Sequence, residues 1–424
     1  MASCKSTEGG LTSDIELCYN IGVVRETRSR KTMLKVQEFI RTNSDWECLL
    51  SSEPFNLSIS YDEVFGRKLV LLKYDQTNAD FSLDIVKECR GLILDAETFE
   101  VVCFPFTKFF NYGEPHAVDI NWSSAYVESK IDGSIMKVVN LDGENFLIST
   151  NGVIDAWKCH LPESIGSNCP FNSFGELFME GMKFYGLGKE DFPRLFKPGF
   201  TYIFELTSPY NQVVVQWKET KVWFLGVRDN MTFQEIFYGG HELSKVFDTP
   251  KVYPIMSIDQ CVAAASELPE DEEGYVVCDK DFNRIKVKSP RYVQLHYMAN
   301  NQNWSGRRVL EILLAGEVSE YVAYFPKFKA AFDFVKGKYD AYVSELENLK
   351  SAIDDLLEVE NGYMPKKDFA KWVFASVSRK PYSGFLFAYF DCVYGGVVKE
   401  HPIRSVKDYI DQMGIGRLSD ALGV

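Results

Sequence analysis

The sequence predicts an α+β fold: an N-terminal domain built on antiparallel sheets with flanking helices, followed by an all-helical C-terminal domain. Two observations support this prediction. Up to residue 288, runs rich in β-branched and aromatic residues dominate the chain. After about residue 298, apolar residues recur at three- and four-residue spacing, which is typical of helices that bury one face. The length of 424 residues allows two domains, and we place them at residues 1–300 and 301–424.

The elements of the first domain are expected in the following order. A short amphipathic helix over residues 31–40 precedes strand-like runs at residues 68–74, 91–105, 135–150 and 202–208. Asp142-Gly143 lies inside the third run and indicates a tight hairpin turn. Further strands are expected at residues 213–217, 222–227, 274–279 and 284–288, and helices at residues 171–184 and 257–267.

The elements of the second domain are predicted from helical periodicity alone. Apolar residues follow it over residues 307–316, 320–358 and 366–377, and residues 405–413 predict a closing helix. Few strand signals remain in this part of the chain. We therefore expect a separate helical unit.

The composition is that of an ordinary globular protein, with 46% hydrophobic and 14% aromatic residues. The formal net charge of −14 argues against nucleic-acid binding by overall charge. A nucleic-acid ligand would require basic residues concentrated in a cleft.

The cysteines indicate the redox state of the compartment in which the protein works. The ten cysteines include no CxxC pair, which argues against a structural zinc site and favours free thiols in a reducing compartment. The sequence has no signal-peptide pattern and no run of about 18 apolar residues, so a membrane is not an expected partner. The expected location is the cytoplasm, which is the host's if the protein is viral. Nothing in the sequence indicates an obligate protein partner.

The feature most suggestive of chemistry is the segment around Lys130-Ile131-Asp132-Gly133. A nucleophilic lysine must lose its proton, and burial or a neighbouring cation favours this loss. A glycine just beyond it allows the backbone to approach a nucleotide closely. Taken alone, the segment is better explained as an ordinary turn between strands.

Two acids and a pair of lysines follow in strand-like runs. Glu205 lies in one such run, and Glu273 precedes another. Lys286 and Lys288 alternate, so both side chains are expected on one face of a strand. Brought to one cleft, these groups would suit a nucleoside triphosphate and its metal. Individually, each is also explained as a solvated strand or loop charge.

The order of these motifs resembles that of the covalent nucleotidyltransferases, which comprise polynucleotide ligases and mRNA-capping guanylyltransferases. Two upstream segments narrow the resemblance to the phage tRNA-repair RNA ligases of the T-even type. These segments are residues 88–91, with Arg90, and residues 104–111, with Lys108. Tyr292, four residues after Lys288, continues the likeness, which covers about residues 88–292. That family also carries an all-helical C-terminal domain.

The resemblance implies a role for each matching residue. Lys130 would be the nucleophile that becomes adenylated, Gly133 would pack beneath the ribose, and Glu205 would hold the ribose hydroxyls. Glu273 would help to bind the metal, and Lys286 and Lys288 would contact the α-phosphate. The implied contacts to the outer phosphates of ATP are Arg90 and Lys108, with Tyr292 as a weaker match at the nucleotide site.

One departure concerns Asn151, which stands where the family tends to have a further lysine before a glycine. The missing phosphate contact could be supplied by Lys137 or Lys158.

The resemblance also implies a reaction and its partners. ATP would be the co-substrate with Mg²⁺ or Mn²⁺, and RNA with 5′-phosphate and 3′-hydroxyl ends, such as a broken tRNA, would be joined. A separate hypothesis rests on position along the chain: every candidate catalytic residue precedes the C-terminal domain, which would then select the RNA, unless its aromatic residues serve only as core. Four alternatives stay open: a DNA ligase, a capping guanylyltransferase, a catalytically inactive RNA-binding relative, and an unrelated α+β protein with chance motifs.

Overall fold

The computed structural model describes residues 33–161, 169–211, 213–269, 271–293, 305–359, 364–393 and 402–424. Within these ranges the α+β prediction is confirmed: strands dominate before residue 289, and the elements after residue 305 are helical. The proposed boundary between residues 300 and 301 lies outside the described residues, as do the first two residues of the predicted N-terminal helix.

The described strands form one four-stranded and two five-stranded sheets. The strand orders are β1-β2-β3-β4, β11-β10-β9-β7-β8 and β12-β6-β13-β14-β5. Pairing is antiparallel except between β14 and β5, which is parallel. The strand bounds are β1 Leu57–Val64, β2 Arg67–Tyr74, β3 Arg90–Asp95, β4 Val101–Cys103, β5 Phe110–Asn111, β6 Tyr126–Ser129, β7 Ser134–Asn140, β8 Phe146–Thr150, β9 Phe200–Thr207, β10 Lys221–Asp229, β11 Glu235–Ile236, β12 Val252–Tyr253, β13 Gly274–Cys278 and β14 Arg284–Lys288.

The predicted hairpin is present as β7 and β8, in register from Met136 opposite Thr150 to Asn140 opposite Phe146. The turn is closed by side chains: Asp142 accepts hydrogen bonds from the backbone of Glu144 and Asn145. Gly143 has a φ of 100°, a conformation that other residues adopt only with strain. Local turn chemistry therefore specified this element.

Residues 213–217 were predicted as a strand, and this prediction is wrong. The apolar run forms no ladder: residues 213–215 lie in bends, and residues 216–217 have no regular secondary structure. The backbone amides of Val214 and Val215 instead donate to a carboxylate oxygen of Asp132. Because this contact satisfies the amides that a neighbouring strand would otherwise bind, the segment remains a loop.

The α-helices of the first part of the chain flank the sheets. The predicted helix at residues 31–40 is found at Lys35–Thr42, and those at residues 171–184 and 257–267 are found at Phe174–Lys183 and Ile258–Ser266. The last two each begin with a serine, Ser173 or Ser257, whose side chain accepts a hydrogen bond from the backbone three residues on. Shorter α-helices lie at Trp46–Ser51, Asp84–Glu88 and Phe192–Leu195.

The helices after residue 305 bury their apolar faces against one another. Their core contains fully buried side chains such as Leu346, Phe369 and Phe385. No described helix is both long and apolar enough to cross a membrane. The helix bounds are Gly306–Leu314, Val318–Tyr324, Lys329–Val359, Lys366–Phe374, Ser383–Val393, Val406–Met413 and Ile415–Leu422.

The helical part also contacts the sheet-rich part. Ser319 donates to a carboxylate oxygen of Glu114 at 2.6 Å, and Thr77 donates to the backbone oxygen of Leu314 at 3.2 Å. The start of the helical part therefore lies against the ends of sheet strands, at the rim of the cavity described next.

Candidate functional site

A cavity of about 920 Å³ opens between the sheets and the first helices of the C-terminal part. Its wall contains the loop from β6 to β7 and the last residues of β14. Glu273 and Tyr292, which the sequence analysis also selected, lie behind the wall with exposed fractions of 3% and 2%. The predicted site residues that line the cavity are Arg90, Lys108, Lys130, Gly133, Glu205, Lys286 and Lys288.

Strand register brings residues that are far apart in sequence to one place. Lys130 directly follows β6, and Glu273 directly precedes β13, which pairs with β6. The next strand, β14, carries Lys286 and Lys288. The backbone amide of Lys130 donates to the carbonyl of Gly274 at 2.8 Å, which fixes the lysine beside Glu273.

Glu273 forms ion pairs with two lysines. One carboxylate oxygen lies 2.6 Å from Lys130 Nζ and the other lies 3.3 Å from Lys288 Nζ. A buried carboxylate between two ammonium groups offsets part of its desolvation cost through both contacts. The arrangement also gives Lys130 a proton acceptor at hydrogen-bonding distance.

Asp132 holds the loop that carries Lys130. Its carboxylate accepts hydrogen bonds from the amides of Val214 and Val215 and, at 2.8 Å, from the hydroxyl of Tyr292. Burial and the adjacent carboxylates raise the pKa of Tyr292 far above its usual value, so the phenol remains a donor. Tyr292 thus supports the loop from behind the cavity wall.

Gly133 lies where strand β9 passes close to this loop. A Cβ atom built on Gly133 would lie 2.4 Å from the carbonyl oxygen of Leu206 and 3.1 Å from Cγ of Glu205. Any side chain would push the loop away from β9. Glycine is therefore required here by the contact with β9.

Glu205 faces the cavity from β9 but is only 6% exposed. Burial raises the pKa of its carboxyl to about 8, an effect that the nearby charge of Lys130 partly opposes. The carboxyl is therefore largely protonated near neutral pH in the absence of a ligand.

This shift predicts a pH-dependent stability. Because the folded-state pKa lies above the ordinary value of 4.5, the contribution of Glu205 is present in acid and is lost as the pH rises towards 8. Glu205→Gln, which stays neutral, should gain melting temperature relative to the wild type between pH 5 and pH 8.5. Glu63→Gln, at an exposed position of β1, is the control. A difference in melting temperature that does not change with pH would contradict the prediction.

Cations and one aromatic ring line the wall opposite Glu205. Burial, reinforced by the charge of Lys288, lowers the pKa of Lys286 to about 7. The guanidinium of Arg90 lies 5.1 Å, and the amine of Lys286 5.6 Å, from the ring centre of Phe109. Both cations thus lie close to the Phe109 ring.

Neither lysine proposed to replace the one missing at position 151 lies in this cavity. Lys137 is fully buried and donates to the carbonyl of Gly91 at 2.7 Å. Lys158 forms an ion pair with Asp62 at 2.6 Å. Both suggestions are wrong, because the alternation of β7 turns Lys137 inward and Lys158 faces the edge of another sheet.

The cavity lining also contains charged residues that the sequence did not indicate, among them Lys73, Glu320 and Lys407. Glu320, from the helix Val318–Tyr324, lies 2.5 Å from Lys288 Nζ, and its side chain is 12% exposed. Lys407 pairs with Asp75 at 3.4 Å. The sequence offered no signal for these residues, because a charge on an amphipathic helix or a strand end is usually solvated.

The residues that form this cavity lie largely within a segment that resembles a known protein family. A family model described as RNA ligase matches residues 88–292. These residues, called the RNA ligase region below, make up just under half of the chain. The RNA ligase region coincides with the stretch over which the sequence analysis found its resemblance, and that prediction is confirmed.

The RNA ligase region also has relatives among curated proteins. A putative bifunctional polynucleotide kinase/RNA ligase of Autographa californica nuclear polyhedrosis virus is 29% identical, over 62% of this chain and 38% of that protein. An RNA ligase of Rhodothermus phage RM378 is 24% identical, over 55% of this chain and 65% of that protein. The chain thus spans less than two thirds of the length of these relatives. Among solved structures, an archaeal ATP-dependent RNA ligase shows a TM-score of 0.42 and 14% identity, covering 72% of this chain and 81% of that one.

Proposed function

We propose that this protein is an ATP-dependent RNA ligase that joins 5′-phosphate and 3′-hydroxyl ends through a lysine–AMP intermediate on Lys130. The observation that carries the proposal is the position of Lys130 Nζ. It lies in a cation-lined cavity, 2.6 Å from a buried carboxylate, within the region that matches the RNA ligase family.

In the proposed first step, the Lys130 amine attacks the α-phosphorus of ATP. A nitrogen–phosphorus bond forms, the bond from the α-phosphorus to the bridging oxygen breaks, and pyrophosphate leaves. In this proposal Glu273 accepts the proton that the amine must lose, which its hydrogen bond with Lys130 supports. Lys286 and Lys288 stabilise the charge that develops on the phosphate oxygens.

The remaining residues bind the nucleotide in this proposal. Glu205 binds the ribose hydroxyls, and its raised pKa allows the carboxyl to donate as well as accept a hydrogen bond. Arg90 and Lys108 bind the outer phosphates. In the second step the AMP passes to a 5′-phosphate RNA end, and in the third a 3′-hydroxyl attacks that end and releases AMP.

A divalent cation, Mg²⁺ or Mn²⁺, fits the carboxylates of this site. Among the described residues, no group of three or more His, Cys, Asp or Glu side chains could enclose a metal ion. Mg²⁺ is commonly held by one or two carboxylates together with substrate phosphates, and Glu273 is the proposed protein ligand. When bound, the ion would neutralise charge on the phosphates.

The test is incubation with ATP labelled on its α-phosphate and Mg²⁺, followed by denaturing electrophoresis. The expected result is a labelled protein band that loses its label when 5′-phosphate RNA is added, with the appearance of joined RNA. Labelling by GTP in place of ATP would indicate a capping guanylyltransferase, and joining of DNA ends alone would indicate a DNA ligase. Absence of any labelled band would indicate an inactive relative.

The proposed biological setting is repair of RNA, with a broken tRNA as the candidate substrate. It is supported by the relatives from a virus and a phage. The eight cysteines in the described ranges are all free, which agrees with a cytoplasmic location.

We further propose that residues 1–300 form the adenylyltransferase domain and that residues 301–424 select the RNA. A truncation at residue 300 would test this division, but one contact across the boundary complicates its interpretation. Removing the helical domain also removes Glu320, which pairs with Lys288. The effects of RNA selection and of Glu320 must therefore be separated.

Glu320→Gln in the full chain provides that separation. In the wild type, the Glu320 carboxylate occupies the position beside Lys288 that a phosphate oxygen needs. Neutralising this carboxylate should therefore lower the KM for ATP by about fivefold, the equivalent of roughly 1 kcal/mol. The preference for a broken tRNA over a simple strand should remain. Truncation at residue 300 should lose that preference while lysine–AMP still forms. Ser319→Ala, at the adjacent contact, is the control, and an unchanged KM in Glu320→Gln would refute the role given to Glu320.

A further inference from the structure

One corner of the cavity contains a lysine with no role in the family pattern. Lys73 is the second-last residue of β2, and it lines the cavity with its side chain exposed. In the sheet it pairs with Arg90 of β3, next to an irregularity in the register between Leu72 and Lys73. Both side chains line the cavity, so Lys73 and Arg90 form one cationic edge.

The same corner contains the turn after β8. A Cβ atom built on Gly91 would lie 2.6 Å from the carbonyl oxygen of Asn151, so this turn presses closely against β3. A Cβ atom on Gly152 would lie 3.6 Å from Lys73 Nζ. The amine of Lys73 therefore lies beside the turn in which Asn151 replaces the lysine of the family pattern.

The charge of Lys73 is available for a ligand. Within the described ranges, no carboxylate lies within ion-pair distance of its amine. Three other lysines of the cavity have carboxylate partners: Lys130 pairs with Glu273, Lys288 with both Glu273 and Glu320, and Lys407 with Asp75. A cation left without a protein anion at a cavity edge favours binding of an anionic group.

We propose that Lys73, together with Arg90, binds an outer phosphate of ATP and supplies the contact that a lysine at position 151 would otherwise make. The inference rests on the proposed function. The outer phosphates leave as pyrophosphate in the first step. Lys73 consequently acts in adenylation of Lys130 and in its reversal by pyrophosphate, and takes no part in later steps.

The test is the rate of lysine–AMP formation as a function of ATP concentration in Lys73→Ala. Loss of one charge-assisted phosphate contact should raise the KM for ATP by about 10-fold or more. The concentration of inorganic pyrophosphate needed to remove AMP from the adenylated protein should rise in parallel. Joining of pre-adenylated RNA should be unchanged. Lys68→Ala, an exposed lysine at the other end of the same strand, is the matched control.

A second variant tests the position. In Lys73→Ala/Asn151→Lys, an amine is returned to the same corner from the neighbouring turn, and the KM for ATP should recover. Lys73→Ala with an unchanged KM, or with an equal loss in the joining of pre-adenylated RNA, would overturn the proposal. If the wild type itself forms no lysine–AMP, the failure lies with the proposed function, because there is then no rate of lysine–AMP formation that the two Lys73 variants could change.

Discussion

Lys130→Ala is expected to abolish covalent labelling by ATP. Only a side-chain amine placed in the cavity can form the proposed phosphorus–nitrogen bond, and alanine has no nucleophile. The measurement is retention of the α-phosphate label on denatured protein. Lys251→Ala is the matched control, because Lys251 is exposed and its backbone carbonyl accepts a hydrogen bond from Ser129, next to the nucleophile. The control should label like the wild type.

The same variant separates the steps of the reaction. RNA that already carries AMP on its 5′ end bypasses the first step, so Lys130→Ala should still seal it weakly while failing to join 5′-phosphate RNA with ATP. Undiminished labelling in Lys130→Ala would refute the assignment of the nucleophile. Loss of both activities with a normal melting temperature would mean that Lys130 also binds the adenylated RNA.

Glu273→Ala is expected to lower the rate of lysine–AMP formation by about 100-fold or more, since a positioned proton acceptor contributes roughly 10²–10⁴-fold. The change removes the carboxylate that pairs with Lys130 and Lys288, and Lys288 keeps only its ion pair with Glu320. It also removes the proposed metal ligand. The measurement is the single-turnover rate at saturating ATP, with Glu272→Gln, an exposed neighbour, as the control.

The dependence on Mg²⁺ separates metal binding by Glu273 from its contacts with Lys130 and Lys288, which include the proposed acceptance of the Lys130 proton. If the carboxylate binds the metal, a high Mg²⁺ concentration should restore part of the rate in Glu273→Ala. If it acts only by holding the two lysines, added Mg²⁺ should have no effect and Glu273→Gln should be impaired to a similar degree. Full activity of Glu273→Ala at low Mg²⁺ would show that neither role is correct.

Elements that depend on local pattern were predicted well. The β7–β8 hairpin follows from its turn residues, and the strand at residues 284–288 follows from the alternation that places Lys286 and Lys288 on one face. Both lysines line the cavity. The long helix Lys329–Val359 follows from its apolar periodicity. These predictions succeeded because each depends on interactions between residues close in sequence.

Elements that depend on tertiary contact were predicted poorly. The apolar run at residues 213–217 has strand propensity, yet Asp132 holds its backbone in a loop. Propensity failed here because a distant carboxylate satisfies the amides. Lys137 carries a charge that sequence reasoning placed near a phosphate, but burial lowers its pKa to about 8 and it bonds a backbone carbonyl instead.

The fold class, the resemblance of residues 88–292 to RNA ligases and the set of candidate residues were predictable from the sequence, because motif order and periodicity are properties of the chain. Which of these groups touch depends on the tertiary structure. The ion pair of Lys130 with Glu273 joins residues 143 positions apart. The contacts of Lys288 with Glu320 and of Lys73 with the turn at Gly152 likewise join separate elements. Their physical origin is the packing of sheets and helices, which sets distances that no local pattern encodes.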